Sequence, residues 1–196
     1  MKSAPSAGAA PEKPLKRVHI HMGEHHISAE PGLEIVTILG SCIGVCIRDP
    51  LLGLGGMNHF MMPGGAGPHA TPGYEEMQYG LAAMERLING LLTRGARRDR
   101  LEVKVFGGAA VLQTGTNIGQ SNIAFVRHYL AEERMPIAAQ DVGGDLGRRI
   151  HYVPQTGRVM RLRLDPARQK RVFTTEVSFR ASLKSSDLDG SVELFS

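Results

Sequence analysis

A thiol and an imidazole are the most reactive pair that this sequence brings close together. Cys42 lies in Leu39-Gly40-Ser41-Cys42-Ile43-Gly44-Val45-Cys46, and His59 follows seventeen positions later in Gly55-Gly56-Met57-Asn58-His59-Phe60. A cysteine beside flexible glycines can sit exposed at a strand end, and an imidazole on the next strand can reach it. These two groups are the minimum for thiolate attack on an amide or ester. A turn of small residues can also present backbone N–H groups to a developing oxyanion. The competing interpretation is plain: a lone cysteine is commonly a small buried hydrophobe. A histidine set among Met57, Phe60, Met61 and Met62 can likewise be a core residue bonded to a backbone carbonyl. Cys46, between Val45 and Ile47, is read as structural.

The elements around the pair are extended. Val18 to Met22 alternates as a strand, Ile27 opens a short second one, and Leu33 to Leu39 is apolar and extended. Cys42 to Ile47 puts Ile43, Val45 and Ile47 on one face and Cys42, Gly44 and Cys46 on the other. Leu54 to Met62 is the next extended run, and the Gly/Pro/Ala stretch 63–73 is a loop of the kind that can lie over a site. Met77, Leu81, Met84, Ile88 and Leu91 repeat as the buried stripe of a helix that Gly95 ends. Leu101 to Phe106 is a strand, Gln120 to Arg134 a second helix with Ile123, Val126 and Leu130 inward, and Ile137 to Val142 a strand. Pro154-Gln155-Thr156-Gly157 joins a hairpin. Phe173, Thr175, Val177 and Phe179 alternate and suggest one more strand. The expected fold is α+β: a single layered domain with mixed and antiparallel sheets and two main helices. Residues 1–16 are expected to be a disordered leader, 17–180 the domain, and 181–196 a flexible polar tail.

Composition narrows the classes of function. With 196 residues, 42% apolar and 21% charged, the chain can bury a full core, and its apolar runs are too short to span a bilayer. Cys42 and Cys46 do not suit a mutual disulfide: four strand residues span roughly 13 Å at ~3.3 Å each, against an upper limit of about 7 Å between Cα atoms. Reduced thiols point to the cytoplasm. The net charge of +4 comes from arginine clusters, but aromatics are 5%, Trp is absent, and no nucleic-acid motif occurs. His19, His21, His25 and His26 are possible ligands, yet no Cys, Asp or further spaced His completes a set, so no metal is expected. Gly107-Gly108-Ala109-Ala110 follows a strand but lacks both phosphate-loop and dinucleotide fingerprints. It is read as a tight crossing of backbone against a neighbour.

Taken together, the segments resemble the chemoreceptor glutamine deamidase family, CheD. The resemblance is carried by Leu39 through Pro50 around the cysteine, Gly56 through Pro63 around the histidine, and Phe106-Gly107-Gly108-Ala109-Ala110. Asn117-Ile118-Gly119 with Asn122, and Asp141-Val142-Gly143-Gly144 with Gly147-Arg148-Arg149, continue it in the same order, over about residues 17–164. The resemblance implies an amidohydrolase of layered α+β fold with a papain-like arrangement of Cys and His. Such an enzyme converts selected glutamines on the cytoplasmic domains of methyl-accepting chemotaxis proteins to glutamate, releases ammonia through a thioester, and needs no cofactor. Cys42 would be the nucleophile and His59 its base and later acid, with Gly40 and Ser41 at the substrate. The family orients its histidine with a threonine just upstream of the cysteine. Thr37 is the match, five positions before Cys42 where some members have six. One residue flips a strand's face, so a backbone shift, or Ser41 in its place, would be required. The resemblance also implies a CheC-type phosphatase as a partner. The alternatives are a non-catalytic module docking on receptors or on such a phosphatase, favoured by a buried and unreactive Cys42, and a cysteine hydrolase of a small-molecule amide.

Overall fold

Alternation in one strand sets the layering of the molecule. The computed structural model describes residues 15–62, 74–111 and 118–186. Its strands are β1 (Lys16–His19), β2 (His25–Ser28), β3 (Leu33–Leu39), β4 (Ile43–Asp49), β5 (Leu54–Phe60), β6 (Glu102–Gly107), β7 (Ile137–Val142), β8 (Arg148–Val153) and β9 (Arg158–Arg163). The helices are α1 (Tyr74–Leu92), α2 (Ile118–Glu132) and α3 (Pro166–Ser186). Five strands form one sheet in the order β2-β5-β4-β6-β7, and four form another in the order β1-β3-β8-β9. β4 lies between antiparallel β5 and β6. β7 joins parallel to β6 after the α2 crossover.

The two faces of β4 belong to two cores. Ile43, Val45 and Ile47 pack with Met84, Leu87, Ile88 and Leu91 of α1 and with Ile123, Val126 and Leu130 of α2. Cys42, Cys46, Met57 and Met61 face the other way and interleave with Leu33, Ile35 and Leu39 of β3 and Ile150 and Tyr152 of β8. The layers therefore run α1 with α2, five-stranded sheet, four-stranded sheet, in a mixed α+β domain. No helix among the described residues is long and apolar enough to cross a membrane.

The stripe expected on α1 is buried at Met84, Ile88 and Leu91, whereas Met77 is exposed. One expectation fails outright. The stretch holding Phe173, Thr175, Val177 and Phe179 is a third helix, not a strand. Asp165 caps it by accepting the Arg168 N–H at 2.9 Å, with Pro166 at the first helical position. The polar tail expected from residue 181 is helical through Ser186. The stretches 1–14, 63–73 and 187–196, which hold most of the expected leader, the Gly/Pro/Ala loop and the end of the tail, lie outside the described residues, as does Asn117.

Candidate active site

Thr37 and His59 come from different sheets and meet between them. On β3, Thr37 shares its face with Leu33, Ile35 and Leu39, so the inward alternation of that strand carries its hydroxyl into the interior. On β5, His59 shares its face with Met57 and Met61. Thr37 Oγ1 lies 2.8 Å from His59 Nδ1 and 2.8 Å from the Ile20 carbonyl oxygen. A carbonyl can only accept, so the hydroxyl proton goes to Ile20 and Oγ1 accepts from Nδ1–H. The imidazole is then the tautomer with its lone pair on Nε2. That nitrogen is buried and has no hydrogen-bond partner among the described residues. The backbone of His59 is held as well: its N–H donates to the Glu24 carbonyl and its carbonyl accepts from Gly23 N–H. Burial, reinforced by the charge of His21, lowers the His59 pKa to about 3. The ring is neutral at physiological pH. The face flip weighed for a threonine five positions before the cysteine does not arise, because Gly40, Ser41 and Cys42 form a turn from one sheet to the other.

That turn is clamped by all three of its carbonyls. Gly108 N–H donates to Cys42 O at 2.7 Å and Ala109 N–H to Gly40 O at 2.8 Å. Asn122 Nδ2 donates to Ser41 O at 2.9 Å, and its Oδ1 accepts the Met62 N–H at 2.9 Å. Gly107 makes the close approach possible. Its φ is +112°, and a Cβ there would stand 2.0 Å from Cys42 O. With the carbonyls committed outward, the N–H groups of Gly40 and Ser41 point together to the opposite side.

They point at a carboxylate. Glu176 of α3 accepts from Gly40 N–H (Oε1, 3.1 Å), Ser41 N–H (Oε2, 3.2 Å) and Ser41 Oγ–H (Oε2, 2.6 Å). The Cys42 thiol also donates to Oε1 at 3.2 Å and lies 3.6 Å from Met22 Sδ. The expectation of an exposed sulfur is therefore overturned: Cys42 is 0% exposed. The physical reason is a helix that the alternation had disguised. Burial pushes the thiol pKa well above its ordinary value, and the charge and hydrogen bond of Glu176 push it further. Cys46 is buried between the sheets and its thiol is likewise pushed up by burial.

Beside the turn is a cleft of about 440 Å³ whose walls include His59, Thr37, His21, Arg149, Arg171 and Glu176. His19 and His21 line this cleft, while His25 and His26 lie on β2. Among the described residues no cluster of three potential metal ligands forms. Sequence reasoning missed Asn122 and Glu176 as site residues. Asn122 stood inside a family-like segment without a role. Glu176 carried one available signal: Val172, Glu176 and Phe179 recur at helical spacing.

Comparison with known proteins agrees with the resemblance. Residues 61–163 match the sequence profile described as CheD chemotactic sensory transduction. The match begins two residues after His59, so it does not itself bear on Thr37, Cys42 or His59. The chain is 48% identical over 178 residues to a probable chemoreceptor glutamine deamidase CheD of Rhodopseudomonas palustris (strain BisA53), covering 91% of this chain and 84% of the relative. It is 42% identical over 184 residues to the protein of the same description from Rhizobium etli (strain CIAT 652), covering 94% and 98%. Its identity to that of Agrobacterium fabrum (strain C58 / ATCC 33970) is 44% over 165 residues, covering 84% and 90%.

Proposed function

The chain belongs to the CheD family, and from that premise we propose that it hydrolyses glutamine side chains of chemoreceptors to glutamate, with Cys42, His59 and Thr37 as its reactive set. The observation that carries this reading is the Thr37–His59 pair, which leaves an unpartnered lone pair on Nε2 in the interior. A buried acceptor without a donor is costly. A proton arriving from a thiol gives it a use.

The chemistry follows from the groups present. His59 Nε2 takes the Cys42 proton as the sulfur attacks the carboxamide carbon, and a C–S bond forms. The carbonyl oxygen becomes an oxyanion held by the Gly40 and Ser41 N–H groups, which the clamped turn has already oriented. The C–N bond then breaks, and protonated His59 gives its proton to the leaving nitrogen, so that ammonia departs. Water attacks the remaining thioester and surrenders a proton to Nε2. The C–S bond breaks, glutamate leaves, and the thiol is restored. The grouping is papain-like in its division of labour, with a hydroxyl orienting the imidazole. The substrate places the reaction on the cytoplasmic side, and a CheC-type phosphatase is the second partner of this reading.

A docking module without catalysis is the other candidate, and the sealed thiol favours it. Against it stands the nature of the seal, a carboxylate gripped by the same N–H groups that an oxyanion would use. Mass spectrometry of a receptor cytoplasmic fragment separates the two. The protein should produce the mass gain of an amide-to-acid exchange at selected glutamines, and Cys42→Ala should not. A Cys42→Ala protein that still deamidates, or a wild type that never does, overturns the proposal.

A further inference from the structure

Glu176 is the buried side chain among those described on α3. The described residues on either side of it along the helix are exposed or half-buried, and Glu176 itself is 2% exposed. Among the described side chains of α3, the Glu176 carboxylate makes the buried polar contacts, Phe179 packs half-buried against the core between the sheets, and most of the others face solvent. That carboxylate has no ion-pair partner among the described residues. Its partners are Gly40 N–H, Ser41 N–H, Ser41 Oγ–H and the Cys42 thiol. A glutamate side chain is also the product of the reaction proposed above.

We infer that α3 is a tethered occupant of the substrate site, with Glu176 standing where the product carboxylate stands, and that a substrate glutamine must displace it. This rests on the deamidase reading and adds to it how the resting enzyme is held latent and how a substrate is seated. The site takes an amide or carboxylate presented from the side of a helix, in the place of Glu176, whose Oε1 meets Gly40 N–H and the thiol and whose Oε2 meets Ser41. Val172 and Phe179 flank Glu176 on the same helix face and line the cleft with it. Arg168 and Gln169 lie about two turns before Glu176. Gln169 fastens the start of the helix through Asp145 O and Gly147 N–H, so α3 can leave the cleft while its first turn stays attached. Elements that open ahead of the rest of a fold are those with few buried contacts.

The full-length variant Glu176→Gln tests this directly, because it puts a carboxamide where the carboxylate was. Cys42 should then attack its own chain. A C–S bond forms to the side chain at position 176, the C–N bond breaks with release of ammonia, and water regenerates the acid and the thiol. Intact-mass measurement should show the protein reverting to the wild-type mass. The rate should be independent of protein concentration, and reversion should be absent when Cys42→Ala is added. A second variant, Glu176→Ala, should be alkylated by iodoacetamide at Cys42 about tenfold faster than wild type at fixed pH, because the carboxylate that covers the sulfur and accepts its proton is gone. It should also show a lower KM for a receptor fragment.

A Glu176→Gln protein that keeps its carboxamide while deamidating receptor fragments overturns the inference and leaves the deamidase reading intact. Alkylation and KM of Glu176→Ala equal to wild type overturn it as well. Faster alkylation of Glu176→Ala with no deamidation of either substrate supports the plug and overturns the deamidase reading instead.

Discussion

Thr37 Oγ1 lies 2.8 Å from His59 Nδ1 while giving its own proton to Ile20 O, also at 2.8 Å. One hydroxyl thereby selects the tautomer of the imidazole. Thr37→Val removes the acceptor but keeps the shape, so both tautomers become available and the ring loses its anchor. The expected loss in kcat is roughly five- to thirtyfold, corresponding to one hydrogen bond of about 1–2 kcal/mol, and Thr37→Ser should recover most of it. Turnover of Thr37→Val at the wild-type rate would remove the orienting role.

The reactivity of Cys42 should climb with pH without levelling off near neutrality. Burial and then Glu176 raise the thiol pKa above its ordinary value, and His59 is held neutral. The thiolate fraction therefore grows about tenfold per pH unit throughout the range below that pKa. Iodoacetamide labelling followed by mass spectrometry measures it. A plateau at pH 7 would mean that a thiolate–imidazolium pair exists in the resting protein.

The clamp on the turn should be visible as stability. Asn122 is fully buried and joins Ser41 O to Met62 N–H. Asn122→Ala strands both groups and should cost about 2–4 kcal/mol in urea unfolding. Gly107→Ala adds a Cβ against Cys42 O at positive φ and should cost about 3 kcal/mol or more. If Gly107→Ala unfolds at the wild-type urea concentration, the carbonyl is not pinned as described.

Acid should weaken the fold through two groups with the same sign. Asp49 is buried. Burial alone would raise its pKa, but Arg97 N–H, the Arg100 guanidinium and Leu51 N–H outweigh that and hold it below the ordinary value. Its contribution is present above the unfolded pKa and is lost as pH falls through the lowered folded one. His59, kept neutral to about pH 3, makes the unfolded chain bind the extra proton once pH drops below roughly 6.5, so stability declines from there downward. Asp49→Asn, which leaves Arg100 without its partner, should lower stability at pH 7 by about 3 kcal/mol and flatten the acid limb below pH 5. An unchanged acid limb would refute the assignment.

The strands around the site were readable because one face of each is buried and period two is hard to mistake. Ile43, Val45 and Ile47 oppose Cys42 and Cys46 as the alternation says, and the 154–157 turn joins β8 to β9. The Thr37–His59 contact was legible only through family resemblance. Nothing in a linear pattern shows that a strand of one sheet leans on a strand of another. Helix α3 is disguised in the sequence because Phe173, Thr175, Val177 and Phe179 alternate with period two and form no apolar stripe at helical spacing. What decides for the helix is the Asp165-Pro166 start and the anchorage of Glu176, which is a tertiary fact.

Because Thr37 is built into one sheet and His59 into the other, their contact works as a gauge of the distance between the two layers. Side chains that interleave there, Met57 and Tyr152 among them, set that distance without touching the chemistry. A substitution that let the layers drift apart by less than an ångström would stretch a 2.8 Å bond beyond useful length while the molecule still melted as a unit. Turnover is then the more sensitive reporter of damage to the sandwich, and loss of activity in a well-folded variant can originate far from the sulfur.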